Sequence, residues 1–218
     1  MSSLQDSPLP TTETILDAGE QPAFIPYPEI GEKYENVPIY LRPHLAYYVS
    51  RMGFLPTTIH LYCHVPWIAE YLFTLNNAIM RDERSTLSEH FKYKLAIVAS
   101  RINECEYCTA HHAVTLQRRW GYDESAVEDV VTMTAPADER EAAAFAFVRQ
   151  MSLDAGAVTD ADRARLAEHF SPAEVMNIVL VAGFWKMYNT MHTAMAAPIE
   201  DPVLAGRKFV KVPLEGFA

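Results

Sequence analysis

Eight consecutive residues, Cys105-Glu106-Tyr107-Cys108-Thr109-Ala110-His111-His112, bring two thiols and two imidazoles together. On a helix advancing about 100° per residue, Cys105, Cys108 and His112 fall within a wedge of roughly 60°, while His111 lies about 120° from Cys105. Two sulfurs so placed can approach disulfide geometry with one imidazole above them. A helix N-terminus offers unpaired N–H groups and a positive dipole end, both of which stabilise a thiolate. Thiolate rather than thiol is the nucleophile, and a neighbouring imidazole can take or return the proton. Two alternatives stay open. Buried cysteines can simply pack as small hydrophobes. A closed zinc site wants four ligands, so Cys63 and His64 would have to join the three present here. Redox spacing with a histidine in phase favours dithiol chemistry.

The elements that must hold this cluster are helical. Pro43 predicts the start of a short helix that Gly53 closes, because glycine accepts the left-handed conformation of a C-cap. Pro66 suits a first helical turn, followed by Ile68, Leu72, Leu75 and Ile79 at helical spacing. Thr86 and Glu89 have capping-box spacing ahead of a helix reaching about Ile102, with Leu95, Val98 and Ile102 as its buried stripe. Asn103 interrupts. The next helix carries the cysteines and ends near Trp120, with Gly121 just beyond. Asp123 caps the segment Glu124 to Met133, and the alanine-rich stretch from about Asp138 to Met151 has strong helix propensity. Thr159 with Asp162, and Ser171-Pro172-Ala173-Glu174, mark two further starts. The last helix reaches towards Met195. It is apolar around nearly its whole circumference, which predicts a central position.

No segment alternates strongly enough to read as a strand, so the fold class is all-α. Residues 1–42 hold six prolines and no helical period, predicting an extended arm with little core of its own. Residues 43–197 form the expected helical domain and residues 198–218 a tail. Half the residues of the 218 are hydrophobic, enough for a real core. The net charge of −10, with no Lys/Arg cluster longer than a pair, disfavours nucleic acid and anionic membrane surfaces. The first thirteen residues carry Asp6, Glu13 and two prolines rather than a basic stretch and an apolar core, so no export signal is expected. The longest apolar run, Ile178 to Trp185, is short of the roughly 20 residues a bilayer span needs. Three cysteines make no disulfide scaffold, and a cytoplasmic location is the expectation.

The run from Ala99 to His112, with its Cys-x-x-Cys-x-x-x-His pattern after a helix ending in Asn, resembles the alkylhydroperoxidase D / carboxymuconolactone decarboxylase family. Weaker similarity touches Gly53-Phe54-Leu55-Pro56, His64-Val65-Pro66-Trp67 and the helix from Ser171 to Met195, covering roughly residues 45 to 197. The resemblance implies an AhpD-like helical fold, a homo-oligomer and thiol-dependent reduction of hydroperoxides without metal or organic cofactor. It implies that Cys108 attacks the peroxide and Cys105 resolves the sulfenic acid as a disulfide. His112 would relay protons to and from Cys108. An external dithiol would then reset the enzyme by exchange.

One departure matters. The family usually places a glutamate twelve residues before the first cysteine, acting as a base through the histidine, and here Tyr93 stands there. A phenol with an ordinary pKa of about 10 is a poor base at neutral pH. Glu89, one turn earlier, is a candidate substitute. Glu104 and Glu106 adjoin the motif as solvated charges. His60 and His64 share a helix face at four-residue spacing and could bind metal, although satisfied histidines are the commoner case. His192, with Trp185 and Tyr188, could line a pocket. Met176, Met187, Met191 and Met195 read as core filling. Two rival functions keep the fold: a lyase acting on a small carboxylated lactone, and a non-catalytic oligomer whose dithiol is a redox sensor or staple.

Overall fold

The computed structural model describes residues 24–212, so the expected arm lies partly outside the described residues, at positions 1–23. Every regular element among the described residues is helical: α1 (Arg42–Met52), α2 (Thr57–Tyr62), α3 (Pro66–Arg81), α4 (Glu89–Ile102), α5 (Glu106–Trp120), α6 (Glu124–Thr132), α7 (Glu139–Leu153), α8 (Asp160–His169) and α9 (Pro172–Ala194), with 3-10 segments at Ala155–Ala157 and Asp201–Lys211. None of these helices is long and apolar enough to cross a membrane. The chain divides into two units. Of the described residues, the first holds 24–75 with Met195–Asp201, and the second holds Asn76–Ala194 with 202–212. α3 begins in the first and ends in the second.

In the first unit, Gly53 closes α1 with φ 82°, as its position predicts. The segment before α1 lacks helix, yet Ile30, Tyr34, Val37 and Leu41 within it are buried. Arg42 fixes it by donating to the carbonyls of Val37 (3.0 Å) and Glu35 (2.9 Å). His60 and His64 contact it through Nε2, 2.8 Å from the carbonyls of Pro28 and Pro26 respectively. Tyr27 stacks on the His60 ring at 4.9 Å. Through these two Nε2 contacts the four-residue spacing grips the chain.

In the second unit α4 is the central helix. Lys92 to Ser100 are all buried, and α4 packs against α5, α6, α7 and α9. Its small residues Ala96, Ala99 and Ser100 let neighbours close on every side. α9, predicted to be central, is instead open along Met176, Leu180 and Met187, which are 57, 45 and 39% exposed. The methionine periodicity therefore marks an outward stripe rather than core filling, while Ile178, Val181, Trp185, Tyr188 and His192 face inward. The capping of α4 also differs. Ser88, not Thr86, caps it by accepting from Phe91 N–H, and Glu89 becomes its first helical residue. Thr159 with Asp162 forms the predicted capping box on α8, and Ser171 with Glu174 does the same for α9. The buried face of α3 is Ala69, Phe73, Asn76, Ile79 and Met80, so Ile79 is buried as expected while Ile68 and Leu75 lie half outside.

The 3-10 segment straps the outside of α5. Val203 and Phe209 are fully buried, Arg118 donates to the carbonyl of Pro202 (2.9 Å), Arg207 pairs with Glu106 (2.7 Å), and Lys208 pairs with Glu124. Gly206 lies so close to α5 that a Cβ would strike the Ala110 carbonyl oxygen and come within 2.8 Å of its Cα. Backbone cannot swing aside as a side chain can. Gly206→Ala is expected to cost about 1–3 kcal/mol. At about 2–4 °C per kcal/mol for a chain of this size, thermal unfolding should start several degrees lower. An unchanged melting curve would mean that the strap simply lifts.

Candidate active site

The cysteines sit where α4 turns back into α5. Asn103 caps α4, Glu104 takes a left-handed conformation (φ 55°), and Cys105 N–H donates to the Ser100 carbonyl at 3.0 Å. Cys105 is extended rather than helical (φ −81°, ψ 99°) and is the N-cap of α5. Its sulfur accepts the Cys108 N–H at 3.3 Å, taking the place that a serine or aspartate oxygen has in ordinary capping. Cys-x-x-Cys spacing is thus also the spacing from a cap to the third helical residue. The two thiols are unbonded, with sulfurs 2.8 Å apart.

Their protons are not shared equally. The hydrogen bond from Cys108 lowers the pKa of Cys105 against opposing burial, with further help from the Cys108 N–H and the Thr193 hydroxyl. Burial pushes the Cys108 thiol well above its usual range, and donation to Cys105 adds to the shift. Cys105 is therefore the more acidic thiol of the pair, and Cys108 the one that holds its proton more tightly. Both side chains are enclosed, at 1 and 2% exposure.

The imidazole at hydrogen-bond distance from Cys108 belongs to His192, whose Nδ1 is 3.2 Å from the sulfur. Tyr107 and Tyr188 meet this ring edge-on at 5.4 and 5.2 Å. One turn earlier on α9, Asn189 accepts from the Ser100 hydroxyl at 3.1 Å, fixing α9 against α4 at this level. His112 lies one turn further along α5, edge-on to Trp185 (4.1 Å) and near Tyr93 (5.6 Å). It is buried, makes no hydrogen bond to either sulfur among the described residues, and its Nε2 has no partner there. Burial, then the charges of His111, His192 and Arg81, hold its pKa well below the usual histidine value, so it is neutral at pH 7.

The position of the family glutamate is filled differently. The Tyr93 hydroxyl accepts from Arg81 at 2.6 Å, and its ring lies 5.8 and 5.9 Å from the Arg81 and Arg119 guanidinium carbons. Glu89 is engaged by both arginines, at 2.5 and 2.8 Å from Arg119 and 3.2 Å from Arg81. It is an ion-pair partner rather than a carboxylate directed at the sulfurs. Glu104 is exposed and Glu106 is held by Arg207. Among the described residues no group of three or more His, Cys, Asp or Glu is placed to hold a metal ion. The contact between His192 and Cys108 was not predicted from sequence. The one available signal is that Trp185, Tyr188, Asn189 and His192 share a face of α9.

The carboxymuconolactone decarboxylase family matches residues 66–150. No curated protein matches the chain in sequence. Among solved structures, a peroxidase-related protein from Ralstonia eutropha JMP134, described as an alkylhydroperoxidase AhpD core, superposes with a TM-score of 0.75 at 22% identity, covering 86% of this chain and 98% of its own. A peroxidase-related protein from Silicibacter sp. TM1040 gives a TM-score of 0.72 at 25% identity, covering 82% and 92%. The debrominase Bmp8 gives 0.70 at 22% identity, covering 79% and 92%.

Proposed function

We propose that this chain, which matches the carboxymuconolactone decarboxylase family over residues 66–150 and shares the fold of an alkylhydroperoxidase AhpD core, is a thiol-dependent peroxidase acting through Cys105 and Cys108. The observation that supports it most is the pair of free sulfurs 2.8 Å apart at the N-terminus of α5, Cys105 with its pKa lowered and Cys108 with its pKa raised. Cys108, once deprotonated, attacks a peroxide oxygen; the O–O bond breaks, an alcohol leaves, and Cys108 becomes a sulfenic acid. Cys105 then attacks the Cys108 sulfur and displaces hydroxide, which is protonated to water. Two thiols and one hydroperoxide thus yield a disulfide, an alcohol and water. An external dithiol restores the pair by exchange. Neither step calls for a metal or organic cofactor, and the reducing cytoplasm is the compartment that would supply the reductant. A homo-oligomer, which the resemblance implies, would cover exposed side chains such as Met176 and Leu180.

A debrominase shares this fold, so fold alone does not select the reaction. Titration of the reduced protein with cumene hydroperoxide tests the proposal. One equivalent should remove the thiols of Cys105 and Cys108 as a disulfide, leaving Cys63 open to alkylation after unfolding. Persistence of both thiols under excess peroxide would sink it. A disulfide that forms only with other oxidants would point to a redox staple.

A further inference from the structure

We propose that His192 is a catalytic residue of the dithiol, the base and acid at Cys108. This deepens the peroxidase reading and rests on it for its second step. The geometry is specific. Nδ1 of His192 is 3.2 Å from the Cys108 sulfur, while His112, four residues further along α5 from that cysteine, makes no hydrogen bond to either sulfur among the described residues. With Nδ1 directed at the sulfur, the neutral ring can accept the Cys108 proton there only as the tautomer carrying hydrogen on Nε2. The ring is buried, and the edges of Tyr107 from α5 and Tyr188 from α9 hold its orientation. Thr193, the next residue, hydrogen-bonds Cys105, so consecutive residues of α9 serve the two sulfurs separately.

The steps balance. His192 Nδ1 takes the proton of Cys108, and the resulting thiolate attacks the outer oxygen of the hydroperoxide. As the O–O bond breaks, the departing alkoxide takes that proton from Nδ1 and leaves as the alcohol. The neutral ring is then ready again. In the second step the Cys105 thiolate attacks the sulfenic sulfur, and the released hydroxide gains its proton from solvent. The titratable groups around the ring are Cys105, Cys108, Tyr107 and His112 of α5 and Tyr188 of its own helix, with Arg81 charged beyond His112.

The substitution to use is His192→Asn, whose amide occupies the position of Nδ1 but cannot titrate. Oxidation of Cys108 by cumene hydroperoxide, followed between pH 5 and 9, should slow about 100-fold with the loss of its pH inflection. His112→Asn should keep both the inflection and most of the rate. The reverse pattern would overturn the proposal. A second arm needs no peroxide: in Cys105→Ser protein, alkylation of Cys108 by iodoacetamide at pH 7 should fall at least tenfold on adding His192→Asn. Equal alkylation rates would reject His192 as base, whatever the protein does with peroxide. A wild-type protein inert to peroxide whose alkylation still depends on His192 would reject the peroxidase reading instead. Should His192→Asn fail to fold, the imidazole ¹⁵N resonances of wild-type protein decide the matter. Nδ1 of His192 should shift when diamide closes the disulfide, and an unmoved resonance counts against it.

Discussion

Cys108→Ser is expected to lower peroxide-driven turnover by a factor on the order of 10³ or more, the usual consequence of removing a covalent nucleophile. Cys105→Ser should abolish turnover too, but by a different route: a sulfenic acid should accumulate on Cys108, trappable by dimedone and identified by mass. The asymmetry follows from the surroundings of the two sulfurs. Cys105 is the more acidic, yet its sulfur accepts the Cys108 N–H and is further engaged by the Cys108 thiol and the Thr193 hydroxyl. A thiolate stabilised in this way is a weaker nucleophile, since nucleophilicity falls with pKa. It is, however, well placed to displace hydroxide from a sulfur in contact with it. Cys108 keeps its proton at rest because burial disfavours its charge, and the His192 imidazole adjoins it. Dimedone adducts on Cys105 in the Cys108→Ser protein, with peroxide consumption intact, would exchange the two roles.

Lys94→Met should produce the largest loss of stability, about 3–5 kcal/mol, because it leaves a buried carboxylate without its cation. Lys94 on α4 donates to both oxygens of Glu141 on α7, at 3.1 and 2.8 Å, and the two residues are 8 and 7% exposed. The double variant Lys94→Met/Glu141→Leu should recover most of the loss, since removing both charges together removes the desolvation cost as well. Burial works to lower the Lys94 pKa, but its hydrogen bonds to Glu141 and Tyr122 overcome that, and the net shift is upward. A cation whose pKa is raised by folding adds stability in full below its unfolded value of about 10.4 and loses it as pH rises through the folded value. Urea unfolding of wild type should therefore show this contribution intact at neutral pH and fading only above about pH 10.4. The gap to Lys94→Met should narrow there. A single variant as stable as wild type at pH 7 would show that Glu141 finds another partner or water.

Much of the helical skeleton was legible because helix ends are decided locally. Gly53, Gly121, Asp123, Thr159 and Ser171 each act within about four residues of themselves, and each terminates or starts a helix as its chemistry dictates. Burial, by contrast, is not decided locally. The hydrophobic circumference of α9 suggests a central helix. The small residues of α4, which carry little hydrophobic signal, allow that helix to be surrounded instead. Thr86 and Glu89 have the right spacing for a cap, but Ser88 is nearer, and Glu89 gains more from two arginines.

The same division runs through the site. Sequence by itself determined that two thiols lie one helical turn apart at the start of α5, because Cys-x-x-Cys after Asn103 is a short-range geometry that needs no partner from elsewhere. Tertiary structure decided which imidazole touches the second sulfur, since His192 and Cys108 are 84 residues apart and meet only when α9 packs against α5. It also decided which thiol is the more acidic, because desolvation is a property of the assembled interior and not of any segment.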